Sequence, residues 1–183
     1  MFAQILYYPL TTFEDAPFAS RSLYDSGYYL LSRDVMVKAR EVYTPDEKMW
    51  VNPYTSPLEA DNLSDLPPAL VITAQFDPLR DEGELYGEKL NEAGIPVKTV
   101  RYNGVMHGFV SFYQVMKSGD TALNQTAAFL SQAEKEDWQK KEQYELVIQD
   151  TPEGWGRVKE EVEAFAIAAF LVGKSTLNFF INK

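Results

Sequence analysis

The segment Ala69-Leu-Val-Ile-Thr-Ala-Gln75 is apolar and β-branched throughout, carries no charge, and constrains the fold more than any other stretch. A strand without a polar stripe has both faces covered, which is the situation of a central strand in a parallel sheet. The residues that follow supply a crossover. Pro78 to Ala93 places Leu79, Leu85, Tyr86 and Leu90 at helical spacing, Gly94 occupies the C′ position that favours a left-handed residue, and Val97 to Tyr102 reads as a second strand. Strand, helix and strand within roughly 35 residues is the size of one βαβ unit, so the two strands are expected to run parallel as neighbours about 4.8 Å apart.

Other segments extend this unit. Ala3 to Tyr8 is an apolar and aromatic run closed by Pro9 and reads as another buried strand. Thr11 to Ser26 is loop-like, and Ser32 is the expected N-cap of a short helix ending near Tyr43, before Pro45. Asn52 to Pro57 and Leu66 to Pro68 are proline-stiffened loops. A further helix is expected from about Asp120 to Lys135, with Leu123, Ala127, Phe129 and Leu130 on its packing face. After Glu136 the composition changes. Asp137 to Gln143 is polar, Tyr144 to Gln149 suits a short strand, and Arg157 to Phe180 suits a helix with Val158, Val162, Phe165, Ala169 and Val172 along one side. The fold class is α/β, with three αβα layers around a short, mostly parallel sheet over residues 1–136. Residues 137–183 form a helical carboxyl-terminal extension, either packed on the domain or serving as an interface.

A chain of 183 residues with 45% hydrophobic content can bury one sizeable core. Its net charge of −10 argues against nucleic acid and anionic membranes as partners. There is no cysteine, the first residues lack the basic region of a signal peptide, and the longest apolar run, Ala164 to Val172, is too short to span a bilayer. The expectation is a cytoplasmic protein without a transmembrane segment.

Asp77 follows the first strand of the βαβ unit and His107 follows the second by a short loop. Both therefore fall on the carboxyl-terminal edge of the sheet, where open α/β folds place their ligands. An aspartate there can hold one imidazole nitrogen and leave the other to act as a general base. Taken singly, each residue has a plainer reading: Asp before Pro is a common turn residue, and a lone histidine in a loop is commonly a surface or capping group. Asp77, Asp81, Glu82 and Glu84 cluster at a helix start, where they complement the positive end of the dipole. One histidine and no cysteine argue against a zinc site, no phosphate loop is present, and Trp50, Trp138 and Trp155 read as core or turn-packing residues.

The joint pattern is more specific. Phe76-Asp-Pro-Leu-Arg-Asp-Glu-Gly83, Ala93-Gly-Ile-Pro96, Arg101-Tyr102 and His107-Gly-Phe109, with Asn52-Pro-Tyr-Thr-Ser-Pro-Leu58 and Asp65-Leu-Pro-Pro-Ala-Leu70 upstream, resemble the hormone-sensitive-lipase-like esterases of the α/β-hydrolase superfamily. Tyr28-Tyr-Leu-Leu-Ser-Arg-Asp34 is similar to a cap segment, which would span about residues 12–50. The resemblance covers roughly residues 3–132. It implies a partial α/β-hydrolase fold, Asp77 as catalytic acid, His107 as catalytic base, hydrolysis of carboxylic esters with short or medium acyl chains, and no cofactor. The family's Gly-x-Ser-x-Gly elbow and its His-Gly-Gly oxyanion segment occur nowhere in the chain. In the family both precede the strand matching Ala3 to Tyr8. The chain is thus expected to correspond to a carboxyl-terminal half, inactive alone and acting on a small ester if completed by an amino-terminal half. The alternatives are one half of a split esterase, with an amino-terminal partner chain, or a non-catalytic interaction protein, including a homo-oligomer.

Overall fold

A computed structural model describes residues 2–135 and 143–150, together with scattered positions between Trp155 and Phe170. Four strands, β1 (Gln4–Tyr7), β2 (Ala69–Phe76), β3 (Val97–Met106) and β4 (Leu146–Gln149), form one sheet in the order β1-β2-β3-β4. Every neighbouring pair is parallel. The helices are α1 (Ala19–Leu23), α2 (Arg33–Tyr43), α3 (Arg80–Glu92) and α4 (Lys117–Glu134). The expected βαβ unit is therefore present as β2-α3-β3. Gly94 has the left-handed φ of +91° that ends α3, and Ser32 caps α2 through its side chain, which accepts from Val35 N. Strand β3 runs four residues beyond the expected Tyr102, to Met106, for a reason that bears on the site below.

The alternation of β2 builds two cores. Leu70, Ile72 and Ala74 pack with Val100, Tyr102, Phe109, Ala122 and Phe129 on the α4 side. Ala69 packs with Tyr86, Leu90, Ile95 and Leu58 on the α3 side. Helices on both faces explain why Ala69 to Ala74 is buried without a polar stripe, as the sequence requires of a central parallel strand. Strand β1 occupies one edge and is pinned to α4 by a 2.6 Å hydrogen bond between Tyr7 Oη and Thr126 Oγ1. No helix among the described residues is long and apolar enough to cross a membrane.

Of the helix expected from Arg157 to Phe180, the described positions are helical, and Val158, Val162 and Phe170 are exposed there rather than buried against the sheet. Phe165, Val172, Phe179 and Phe180 lie outside the described residues, as do Trp138 and most of the polar stretch from Asp137. Trp155, expected to pack in a turn, is also exposed, whereas Trp50 donates its indole N–H to Thr44 O and lies under the Arg40 guanidinium.

The acidic start of α3 serves the tertiary structure. The Glu82 carboxylate is wholly buried, accepts from Thr11 N at 2.7 Å and Thr12 N at 3.3 Å, and pairs with Arg21 at 2.5 Å. Asp81 accepts from Ser20 N at 2.8 Å, and Glu84 pairs with Arg101. These carboxylates tie the chain leaving β1, helix α1 and strand β3 to the first turns of α3, beyond complementing its dipole. Among the described residues no group of three or more potential ligands converges as a metal site would require. Burial pushes the Glu82 carboxyl up from its ordinary value, and the Arg21 charge opposes that shift. Arg21→Met leaves this carboxylate buried without its counter-ion, so stability should fall by roughly 3 kcal/mol. Urea unfolding of the two proteins measures the difference, and a loss within about 0.5 kcal/mol, typical of a surface change, would contradict it.

Candidate active site

The site begins with a change of register. Ala69 faces Val97 and Ala74 faces Tyr102, but Phe76 faces Met106 instead of Gly104. One residue of β2, Gln75, therefore lies against Asn103-Gly104-Val105 of β3. Two additional residues of β3 advance it along β2 at this point. Gly104 makes the irregularity possible, because its φ of +76° is a conformation that side-chain-bearing residues rarely adopt. Gln75 holds it, accepting from Gly104 N through Oε1 at 2.8 Å, while its own carbonyl accepts from Arg80 Nη1 at 3.1 Å. The consequence is that the residue after Phe76 meets the residue after Met106. Those are Asp77 and His107.

The structure brings both sequence-predicted site residues together. Asp77 Oδ2 lies 2.9 Å from His107 Nδ1, and the Asp77 side chain is 0% exposed against 23% for the histidine. The second carboxylate oxygen, Oδ1, accepts from Leu79 N at 2.8 Å and shapes the entry to α3. The turn role of an Asp-Pro pair and the pairing with histidine are thus both fulfilled, one oxygen each. A carboxylate can only accept, so Nδ1 carries the proton, and in the neutral imidazole Nε2 presents its lone pair. The arrangement is a buried anion behind a part-exposed imidazole at the carboxyl-terminal edge of a parallel sheet. Such a pair can take a proton from a hydroxyl and stabilise the resulting imidazolium.

Two neighbours were not legible as site residues. Tyr8, at the end of β1, lays its ring beside the imidazole with centroids 4.6 Å apart and planes inclined by 56°. Ser111, in the 3-10 turn Phe109–Phe112, is the second, its side chain near the Tyr8 hydroxyl. A tyrosine closing an edge-directed strand just before proline was the available signal, but only the sheet order shows that β1 ends beside the β2 and β3 termini.

A sequence profile described as the alpha/beta hydrolase fold matches residues 1–111. The chain belongs to this family. Among its relatives is an arylesterase of Saccharolobus solfataricus, 45% identical over 107 residues that make up 56% of this chain and 34% of the relative. The carboxylic ester hydrolase LipN of Mycobacterium tuberculosis is 35% identical over 127 residues, 69% of this chain and 34% of its own. In three dimensions the chain is similar to an esterase of Pyrobaculum calidifontis, with 43% identity and a TM-score of 0.68, covering 75% of this chain and 44% of that one. The chain thus spans about a third of the length of these relatives and under half of the solved structure.

Two substitutions test the geometry. Asp77→Asn presents a donor where the imidazole needs an acceptor, so His107 should lose its single Nδ1–H tautomer and show a mixture in long-range ¹H–¹⁵N spectra. A retained single tautomer would disprove the pairing. Gly104→Val forces a branched side chain to a φ of +76°, at a cost of roughly 1–3 kcal/mol. Chemical denaturation measures that loss, and an unchanged unfolding midpoint would show that the register shift does not depend on glycine.

Proposed function

We propose that this chain carries the acid–base half of a carboxylic-ester hydrolase site, with Asp77 as the orienting acid and His107 as the general base. The reading is carried by the 2.9 Å contact between a buried Asp77 and a part-exposed His107 at the edge of the sheet. Relatives named arylesterase and carboxylic ester hydrolase support carboxylic esters as the substrate class. In the reaction His107 Nε2 removes the proton of a serine hydroxyl as its oxygen bonds to the ester carbonyl carbon. The imidazolium, held against the Asp77 carboxylate, then returns that proton to the departing alkoxide as the carbon–oxygen bond breaks. Water repeats the cycle on the acyl-serine and releases the acid. No cofactor takes part.

The 183 residues contain no Gly-x-Ser-x-Gly segment, so the serine and the oxyanion donors have to come from chain outside them. An unpaired side of strand β1 favours this, and equally favours a second reading in which that edge docks a partner or another copy without catalysis. Among the described residues β1 pairs only with β2, and Phe2 beside it is exposed. Such edges template pairing with another strand.

The chain alone should show no stoichiometric labelling by a fluorophosphonate probe and no burst with a p-nitrophenyl ester. Joined to the part of the Saccharolobus arylesterase that it does not match, it should gain burst kinetics that Asp77→Asn and His107→Ala each reduce by a factor of about 10³ or more. Probe labelling of the chain alone would overturn the missing-nucleophile reading. A folded fusion whose activity survives His107→Ala would overturn the role of His107.

A further inference from the structure

Tyr8 is the one residue beside the Asp77–His107 pair that breaks the rules of its own strand. Its φ is +37°, one of only two positive values among described non-glycine residues, and its backbone N–H still donates to Ile72 O at 2.6 Å as the last rung of β1. Side chains in a strand alternate between faces, yet Tyr7 and Tyr8 pack against the same cluster on the α4 side. The left-handed conformation at Tyr8 is what permits this. Such backbone strain persists only where the surroundings enforce it, and it concentrates at functional sites.

The position so obtained is specific. The ring lies 4.6 Å from the imidazole of His107 and 6.1 Å from the ring of Phe109, two residues further along. Two residues of the loop, His107 and Phe109, therefore meet the one tyrosine, and the Ser111 side chain lies near its hydroxyl. Burial raises the hydroxyl above its ordinary value, the nearby Ser111 side chain opposes this, and the Asp77 charge adds to the rise. Tyr8 therefore remains neutral beside the adjacent carboxylate.

We infer that Tyr8 is a positioning residue for His107: its ring forms a wall against the imidazole and against Phe109 of the same loop, so that Nε2 keeps one direction. Asp77 restrains the ring at Nδ1 alone, and a single hydrogen bond leaves rotation about that contact. The tyrosine face removes it. This inference rests on the reading of His107 as a base, but its test involves no turnover, so the two can fail separately.

His107 is the only histidine in the chain, so histidine-selective ¹³C,¹⁵N labelling gives one imidazole signal set. In the full chain the ring should show one tautomer and an order parameter near that of rigid backbone, about 0.85. Tyr8→Leu should bring it below about 0.6 and admit the second tautomer. Tyr8→Phe, which keeps the ring and loses the hydroxyl, should retain the single tautomer and the wild-type order parameter. If Tyr8→Leu does not fold, Tyr8→Gly takes its place, since glycine suits a φ of +37° and also removes the ring. A folded Leu or Gly variant whose imidazole keeps wild-type order and a single tautomer would overturn the proposal.

Discussion

The two-residue advance of β3 along β2 is the constraint on which the site depends. With uninterrupted pairing Asp77 would face Val105, and His107 would lie two residues beyond reach. Instead Phe76 pairs with Met106, and the next residues meet at 2.9 Å. The shift needs one glycine in a left-handed conformation and one glutamine whose side chain replaces the ladder bond that the irregularity removes. An even number of inserted residues matters as much as their presence. An odd insertion would reverse the faces of the residues after Gly104 relative to β2.

Around this point the carboxylates divide the work. Asp77 spends one oxygen on the start of α3 and the other on His107, so the helix entry and the imidazole orientation are set by the same side chain. Glu82, one helical turn further, holds the chain that leaves β1 through Thr11 and Thr12. That chain begins with Tyr8 and Pro9. The strained tyrosine is thus bracketed by the last rung of β1 on one side and by the Glu82 contacts on the other, which is the over-determination that a positive φ at a bulky residue requires.

The layered α/β architecture was legible because the pattern of the apolar residues changes where the structure changes: continuous over Ala69 to Ala74, helical over the α3 segment, and again strand-like, with polar residues interspersed, in β3. Asp77 and His107 were legible as neighbours because residues just beyond parallel strands share an edge. Their pairing was expected from that shared edge; the route to it was not, since it runs through the Gly104 irregularity, and an Asn-Gly pair reads equally well as the end of a strand. Strand β3 accordingly extends past the expected Tyr102. The functions of Asp81, Glu82 and Glu84 were hidden for another reason. A carboxylate in the first turn satisfies the helix dipole whether or not it also reaches Ser20, Arg21 or Arg101, and only the tertiary arrangement separates these uses.

The placement of Tyr8 also links the sheet edge to the imidazole. Strand β1 is paired with β2 on one side, and its final residue lies against a histidine that belongs to β3, two strands away. The His107 loop must therefore cross above the end of β2, which Asp77 occupies, to meet β1.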